Sequence, residues 1–203
     1  SVRRETAGEL LRLAGVAANR IECGIAVLAE DEDALDAFRI ANRAVARALK
    51  KRLGIPDPQW RAFQLAFLLL NLPGLADPLD SQRETVDLLF FPTGGGKTEA
   101  YLGLTAFTFA IRRLQGTVGG YDGRAGGVAV LMRYTLRLLT AQQFQRAAAL
   151  VLACEVARRD RYAQDERWGE TPFRLGLWVG AAMTPNRNKD AVDEIQRARD
   201  GSS

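Results

Sequence analysis

The chain contains no histidine, two cysteines and only four lysines among its 28 basic residues. Without histidine, the chain itself offers neither imidazole acid–base catalysis nor imidazole metal ligands. Cys23 and Cys154 lie far apart in helix-like apolar sequence, which predicts buried free thiols in a reducing cytosol rather than a disulfide or metal site. The most apolar run, residues 65–70, is too short to cross a bilayer, and no signal peptide opens the chain. We therefore expect a cytoplasmic protein with no membrane partner.

The basic side chains are almost all arginine, a bias that a high genomic GC content explains. The formal net charge is +4, a mild excess that is compatible with a nucleic-acid partner but not specific for one. Hydrophobic residues make up 47% of the 203 residues, enough for a real core. Neither terminus shows an obvious domain end, so we expect the chain to be part of a longer protein.

The most informative stretch, residues 91–100, has the sequence FPTGGGKTEA. It follows an apolar run, residues 86–90, and precedes a helical pattern, the setting of a phosphate-binding loop. Glycines let the backbone approach phosphates closely, and the following helix N-terminus attracts anions. We predict ATP and Mg²⁺ as cofactors, with Lys97 on the β- and γ-phosphates and Thr98 on the metal as the catalytic residues. The predicted nucleotide contacts in this loop are Thr93, Gly94, Gly95, Gly96, Lys97, Thr98 and Glu99.

A second candidate nucleotide contact lies upstream, where Arg61 and Gln64 follow Trp60. A glutamine amide offers a donor and an acceptor side by side, which suits the edge of adenine. The alternative is that Gln64 faces solvent at the start of a helix.

The order of predicted elements indicates two parts. Helical patterns fill residues 1–58, the predicted helical extension, in which one helix starts at the acidic run 31–33 and stops at Gly54. Residues 59–203 continue with a short apolar helix that Pro73 and Gly74 close. From residue 85 the order is strand–helix–strand–helix–strand, with strands at 85–91, 127–132 and 173–179. Such alternation predicts an α/β P-loop domain, with a parallel sheet covered by helices.

Candidate nucleic-acid contacts follow the second and third predicted strands, where ligands bind to parallel sheets. Arg133, Thr135 and Arg137 supply charges and a hydroxyl suited to phosphates. Thr135 could equally be a helix cap between two solvated arginines. Gly180 would permit close approach of a nucleic-acid backbone, or mark an ordinary turn.

The loop resembles motif I of superfamily 2 helicases, which usually reads Pro-Thr-Gly-x-Gly-Lys-Thr; Phe91 stands where other phosphate loops have a glycine. The runs at 37–44, 60–74, 86–103 and 131–140 resemble the helicase-like A subunit of bacterial DISARM anti-phage defence. This resemblance implies an incomplete first RecA-like motor domain with motifs I and Ia, DNA binding through a single strand or single-stranded end, and a DUF1998-bearing partner subunit. No Asp-Glu box directly follows the third predicted strand, so the isolated chain is expected to be inactive.

Two other classes remain open. A P-loop nucleotide transferase would share the loop, but Phe91 and the upstream Gln64 argue against it. A non-catalytic helical interaction module with a nucleotide-binding fold would need no intact Lys97–Thr98 pair. The residues that follow 203 would decide the class.

Overall fold

The computed structural model describes residues 2–92, 94–118, 120–122, 126–134, 137–178 and 187–201. Helices dominate these residues. The α-helices are α1 (Val2–Glu30), α2 (Glu32–Leu53), α3 (Ala62–Ala76), α4 (Lys97–Gln115), α5 (Arg137–Tyr162) and α6 (Asn188–Arg199). Short 3₁₀ turns span Ser81–Glu84 and Glu166–Trp168, and two short strands are β1 (Thr117–Val118) and β2 (Tyr121–Asp122).

The predicted α/β RecA-like fold with a parallel sheet is wrong. In the described part of the chain the only ladder is the antiparallel pair β1–β2, with Thr117 opposite Asp122. The described residues of the three predicted strands have no regular secondary structure and belong to no ladder. An apolar run permits a strand, but a strand also needs a neighbour that pairs its backbone groups. Here the apolar side chains face outward instead, with Val86 94% and Leu131 87% exposed.

The boundaries of α2 follow from local chemistry that the sequence already shows. Asp31 caps the helix, its Oδ1 accepting hydrogen bonds from the backbone N–H groups of Asp33 (2.9 Å) and Ala34 (3.0 Å). Gly54 ends it in the left-handed conformation, with φ 68°, and its N–H donates to the Lys50 carbonyl. The predicted start at the acidic run and stop at Gly54 are both confirmed.

The core lies where α2 packs on α4 and α5. Small residues on one face of α2 let the helices approach closely, and larger side chains of α4 fill the space between them. From α2 the core takes Ala34, Ala37, Ile40, Ala41, Ala44 and Val45, and from α4 Leu102, Ala106, Phe107, Ala110, Ile111 and Leu114. Helix α5 adds Leu150 and Cys154, and the 3₁₀ turn after it adds Trp168.

Helix α1 approaches α3 at a single glycine. Gly24 is the buried residue of α1, and a Cβ there would lie 1.9 Å from the Leu69 carbonyl oxygen. Pro73, four residues after Leu69, has no N–H to donate to that carbonyl. The helix nevertheless continues to Ala76, beyond the predicted stop at Pro73 and Gly74.

The chain divides into two compact units, Ser1–Phe173 and Arg174–Ser203. The first contains α1 to α5. The second contains residues 174–178, which have no regular secondary structure, and α6, an amphipathic helix that leaves Val192 and Ile195 exposed. The predicted domain boundary after residue 58 stays a prediction. Helix α2, before this boundary, and helix α4, after it, pack together in the first unit.

Candidate functional site

The glycine loop leads directly into α4, as the sequence predicts. Gly94 and Gly96 have φ values of 81° and 94°, a region that side chains disfavour, and α4 begins at Lys97. The Gly95 N–H donates to the Pro92 carbonyl at 3.1 Å, which closes the turn. The loop therefore stands at a helix N-terminus, where backbone donors and the helix dipole favour an anion.

Lys97 folds back over this loop. Its Nζ donates to the Phe91 carbonyl oxygen at 2.5 Å. The ammonium group thus lies against the residue that replaces the first glycine of the usual pattern. A phosphate would have to compete with this carbonyl for the same proton donor, and the charge would favour the phosphate.

The N-terminal turn of α3 holds the loop from the other side. Arg61 Nη1 donates to the Gly95 carbonyl at 2.8 Å, and Gln64 Nε2 donates to the Gly96 carbonyl at 2.7 Å. The Gln64 Oε1 accepts from the Arg61 N–H at 2.8 Å, and Gln64 is only 4% exposed. Both ends of the amide are therefore engaged within the chain. The structure brings Arg61 and Gln64 to the loop, and gives Gln64 a bracing role beside the predicted adenine contact.

An aromatic stack completes this brace. The Phe63 and Phe91 rings lie 3.9 Å apart between centroids at an interplanar angle of 13°. Phe63 was not among the predicted site residues. The signal for it was Phe91 itself, because a large aromatic in a glycine position needs a surface to pack on.

Glu99, a predicted nucleotide contact, forms ion pairs with two arginines from other helices. Its Oε1 lies 3.2 Å from Arg52 Nη2 of α2 and closer still to Arg146 Nη2 of α5. The carboxylate is only 14% exposed, so it ties the first turn of α4 to α2 and α5. Arg52 and Arg146 were not predicted to belong to the site, although Arg52 belongs to the basic run at the end of α2.

The segment that leads to the loop is anchored by α1. Arg20 of α1 forms a bidentate pair with Asp87, at 2.5 and 2.8 Å, and its Nε donates to Gln82 Oε1 at 2.9 Å. These hydrogen bonds to Asp87 raise the pKa of Arg20 above its ordinary value. The pair fixes residue 87 between α1 and the glycine loop.

The predicted nucleic-acid contacts are described only in part. Arg133 is exposed, in the extended stretch before α5, and Arg137 is the first residue of α5. Thr135, Gly180 and the loop residue Thr93 lie outside the described residues, as does the side chain of Arg137. Burial raises the pKa of Tyr134, the residue after Arg133, and the positive charge of Arg146 partly offsets this shift.

The metal prediction rests on one residue. Thr98, the predicted Mg²⁺ ligand, is half-buried in the first turn of α4. Among the described residues no group of three or more His, Cys, Asp or Glu could hold a metal ion. A hydroxyl beside a phosphate loop fits a magnesium ion whose other ligands are mainly phosphate oxygens and water. The Thr98 role stays a prediction.

The two cysteines are free, as predicted, but Cys23 is half-buried rather than buried. Cys154 is buried in the core, and burial raises the pKa of its thiol to about 12. Its thiolate is therefore not available at neutral pH. In the described residues no helix is both long enough and apolar enough to cross a membrane.

Comparison with known proteins adds one relative. No protein-family model matches the chain. In an alignment of 190 positions that covers 86% of the chain, it is 42% identical to the "DISARM protein DrmA" of Bacillus paralicheniformis. This chain is similar to DrmA. The predicted resemblance to the A subunit of DISARM is thereby confirmed, and the chain spans 17% of the length of that DrmA protein.

Proposed function

We propose that this chain is the ATP-binding part of a DNA helicase or translocase that acts in DISARM anti-phage defence. The observation that carries the proposal is the glycine loop at the start of α4, braced by α3 and overlaid by Lys97. A preformed loop at a helix N-terminus is a phosphate site that loses little entropy on binding. The similarity to a DISARM protein supplies the biological setting.

Lys97 and Thr98 would perform the chemistry on this side of the nucleotide. Lys97 would exchange the Phe91 carbonyl for the β- and γ-phosphate oxygens and offset charge as the phosphoryl group transfers. Thr98 would be a ligand of Mg²⁺, which would neutralise phosphate charge when bound. The phosphates would lie against the backbone of residues 94–96. Arg61 would hold the Gly95 peptide in place through its hydrogen bond to the Gly95 carbonyl.

The proposed partners follow from the same resemblance. DNA would contact Arg133, and a DUF1998-bearing subunit would complete the assembly in the cytoplasm. An Asp-Glu box directly after a sheet strand and a second motor domain would be needed for turnover. The chain alone is therefore expected to bind nucleotide weakly and hydrolyse it negligibly.

The test is Lys97→Ala in the full-length protein. We expect steady-state ATP hydrolysis to fall by at least about 100-fold, because no other cation in the described loop replaces the lysine. Lys189→Ala, at an exposed lysine of α6, is the matched control and should keep wild-type turnover. Unchanged hydrolysis in Lys97→Ala would show that the loop takes no part in catalysis.

A second candidate is a non-catalytic nucleotide-binding module. The observation in its favour is that Gln64 and Glu99, two predicted nucleotide contacts, already use their polar groups inside the chain. This candidate predicts that the wild-type full-length protein binds ATP but does not hydrolyse it, even with DNA and the partner subunit present.

A further inference from the structure

Helix α2 carries basic residues along its outer side. They recur at three- and four-residue spacing, so they follow one ridge of the helix. We call this set the α2 basic ridge: Arg39, Arg43, Arg47, Lys50 and Lys51. All five are exposed, and they span about 18 Å of helix axis at 1.5 Å per residue. The ridge contains two of the four lysines in the chain.

The ridge residues differ from the other charged side chains of α2. Asp33 pairs with Arg167, Asp36 with Arg161, and Arg52 with Glu99. In the described part of the chain none of the five ridge side chains forms a hydrogen bond or ion pair. The acids at the start of α2 are thus mostly neutralised by other helices, while the ridge cations remain uncompensated.

Helix stability does not account for the ridge. Cations favour a helix C-terminus, but this effect is confined to the last turn, where Lys50 and Lys51 lie. Arg43 lies about two turns before Lys50, and Arg39 about three turns before it. Like charges at i,i+4 spacing each cost the helix about 0.2–0.5 kcal/mol. A row of cations that destabilises its own helix indicates an external anionic partner.

The opposite face of α2 limits what that partner can be. A basic amphipathic helix often binds a membrane or a hydrophobic groove through its apolar face. In α2 that face, including Ala37, Ala41 and Ala44, is buried in the core and unavailable. Binding to the ridge must therefore be electrostatic, which suits a repeating polyanion. Duplex DNA presents about ten phosphate charges over 18 Å of its axis, counting both strands.

We propose that the α2 basic ridge binds the phosphate backbone of DNA. The inference rests on the DNA partner of the proposed function and adds a contact surface outside the predicted motif Ia. Arg52, adjacent to Lys51, pairs with Glu99, and Glu99 lies two residues after Lys97. The C-terminal end of the ridge therefore lies beside the phosphate loop, so bound DNA and bound nucleotide act on the same helix junction.

The test is the triple variant Arg39→Gln, Arg43→Gln and Arg47→Gln in the full-length protein. Binding to a fluorescein-labelled oligonucleotide is followed by anisotropy from 50 mM to 1 M salt. The log–log slope should become shallower by about 2 for a single strand and by nearly 3 for a duplex. If both proteins bind equally at 1 M salt, the loss for the single strand is roughly 50-fold at 0.15 M.

The matched control is Arg3→Gln, Arg4→Gln and Arg159→Gln, which removes the same charge from exposed arginines on α1 and α5. The control should keep the wild-type slope. The variant with lysine at positions 39, 43 and 47 should also keep it, since phosphate binding needs charge alone. Should the glutamine variant unfold, the single change Arg43→Gln should still lower the single-strand slope by about 0.7.

The outcomes separate this inference from the proposed function. If the wild-type protein binds no DNA, both are wrong. If it binds DNA but the triple variant keeps the slope, or the control loses as much, the ridge inference alone is wrong. If poly-glutamate displaces the labelled oligonucleotide at charge concentrations where unlabelled oligonucleotide does not, the ridge binds an acidic protein. That result would also overturn the ridge inference.

Discussion

The glycine loop and residues 126–134 differ in how they are held, although the sequence predicts that the first follows a strand and that the second contains one. The loop is held by Arg61, Phe63 and Gln64 of α3 and by Lys97. Residues 126–134 have far fewer attachments: Met132 packs on the core, and the Val128 carbonyl accepts from Arg112 at 3.3 Å. Val128 and Leu131 are 81% and 87% exposed.

This difference shows that the two candidate sites are prepared to different degrees. The loop is held by α3 and α4, and its contacts with α3 come from residues 32 and 34 positions away in the sequence. The second stretch presents Arg133 without comparable support, and Val128 and Leu131 have little cover in the described residues. We therefore expect substitutions at the loop to act through precise geometry and substitutions at Arg133 to act through charge.

Gly96→Ala should have the largest effect, because it breaks the braced loop. Alanine at its positive φ costs roughly 1–2 kcal/mol, and its Cβ would lie 2.7 Å from Gln64 Nε2. Displacing the buried amide adds about 1–3 kcal/mol. Gly94→Ala is the matched control, since its φ is also positive but no atom lies within 4 Å of the added Cβ. For both variants, chemical denaturation measures the free energy of unfolding and nucleotide titration measures the affinity. Equal losses in the two variants would contradict the bracing role of Gln64.

Gln64→Ala sharpens the comparison by removing the brace without straining the loop. The Gly96 carbonyl and the Arg61 N–H lose their partner, which should cost about 1–3 kcal/mol of stability and weaken ATP and GTP binding alike. Gln59→Ala, at an exposed glutamine just before α3, should change stability by less than about 0.5 kcal/mol. A loss confined to ATP would instead favour the adenine contact that the sequence predicts.

Arg133→Ala with Arg137→Ala should have the smallest effect, and one of a different kind. If both arginines contact phosphates, the salt dependence of single-strand binding should flatten by about 1.4 log units, at about 0.7 per contact. Nucleotide affinity without DNA should stay unchanged. Arg3→Ala with Arg4→Ala is the charge-matched control. If the Arg133 and Arg137 variant keeps the wild-type slope, these arginines do not contact DNA phosphates and are only solvated residues at the start of a helix.

Much of the site was accessible from the sequence because its signals are local. Glycines at 94–96, the Lys97–Thr98 pair and the following helix occupy adjacent positions, so the turn and the start of α4 follow from the pattern. The contacts of Gln64 and Glu99 were not accessible in this way. Arg52 and Arg146 lie 47 residues from Glu99 on either side, and no periodicity pairs residues at such a distance.

The fold itself separates local from tertiary information. The sequence alone determined the capped limits of α2, the start of α4 and the free thiols, because caps, glycine conformations and apolar faces act over a few residues. Only the tertiary structure decided that residues 85–91 and 126–134 pair with no described strand, and that α3 braces the glycine loop. The physical reason is that a helix satisfies its backbone within itself, whereas a strand or a brace requires a partner that the local sequence does not specify.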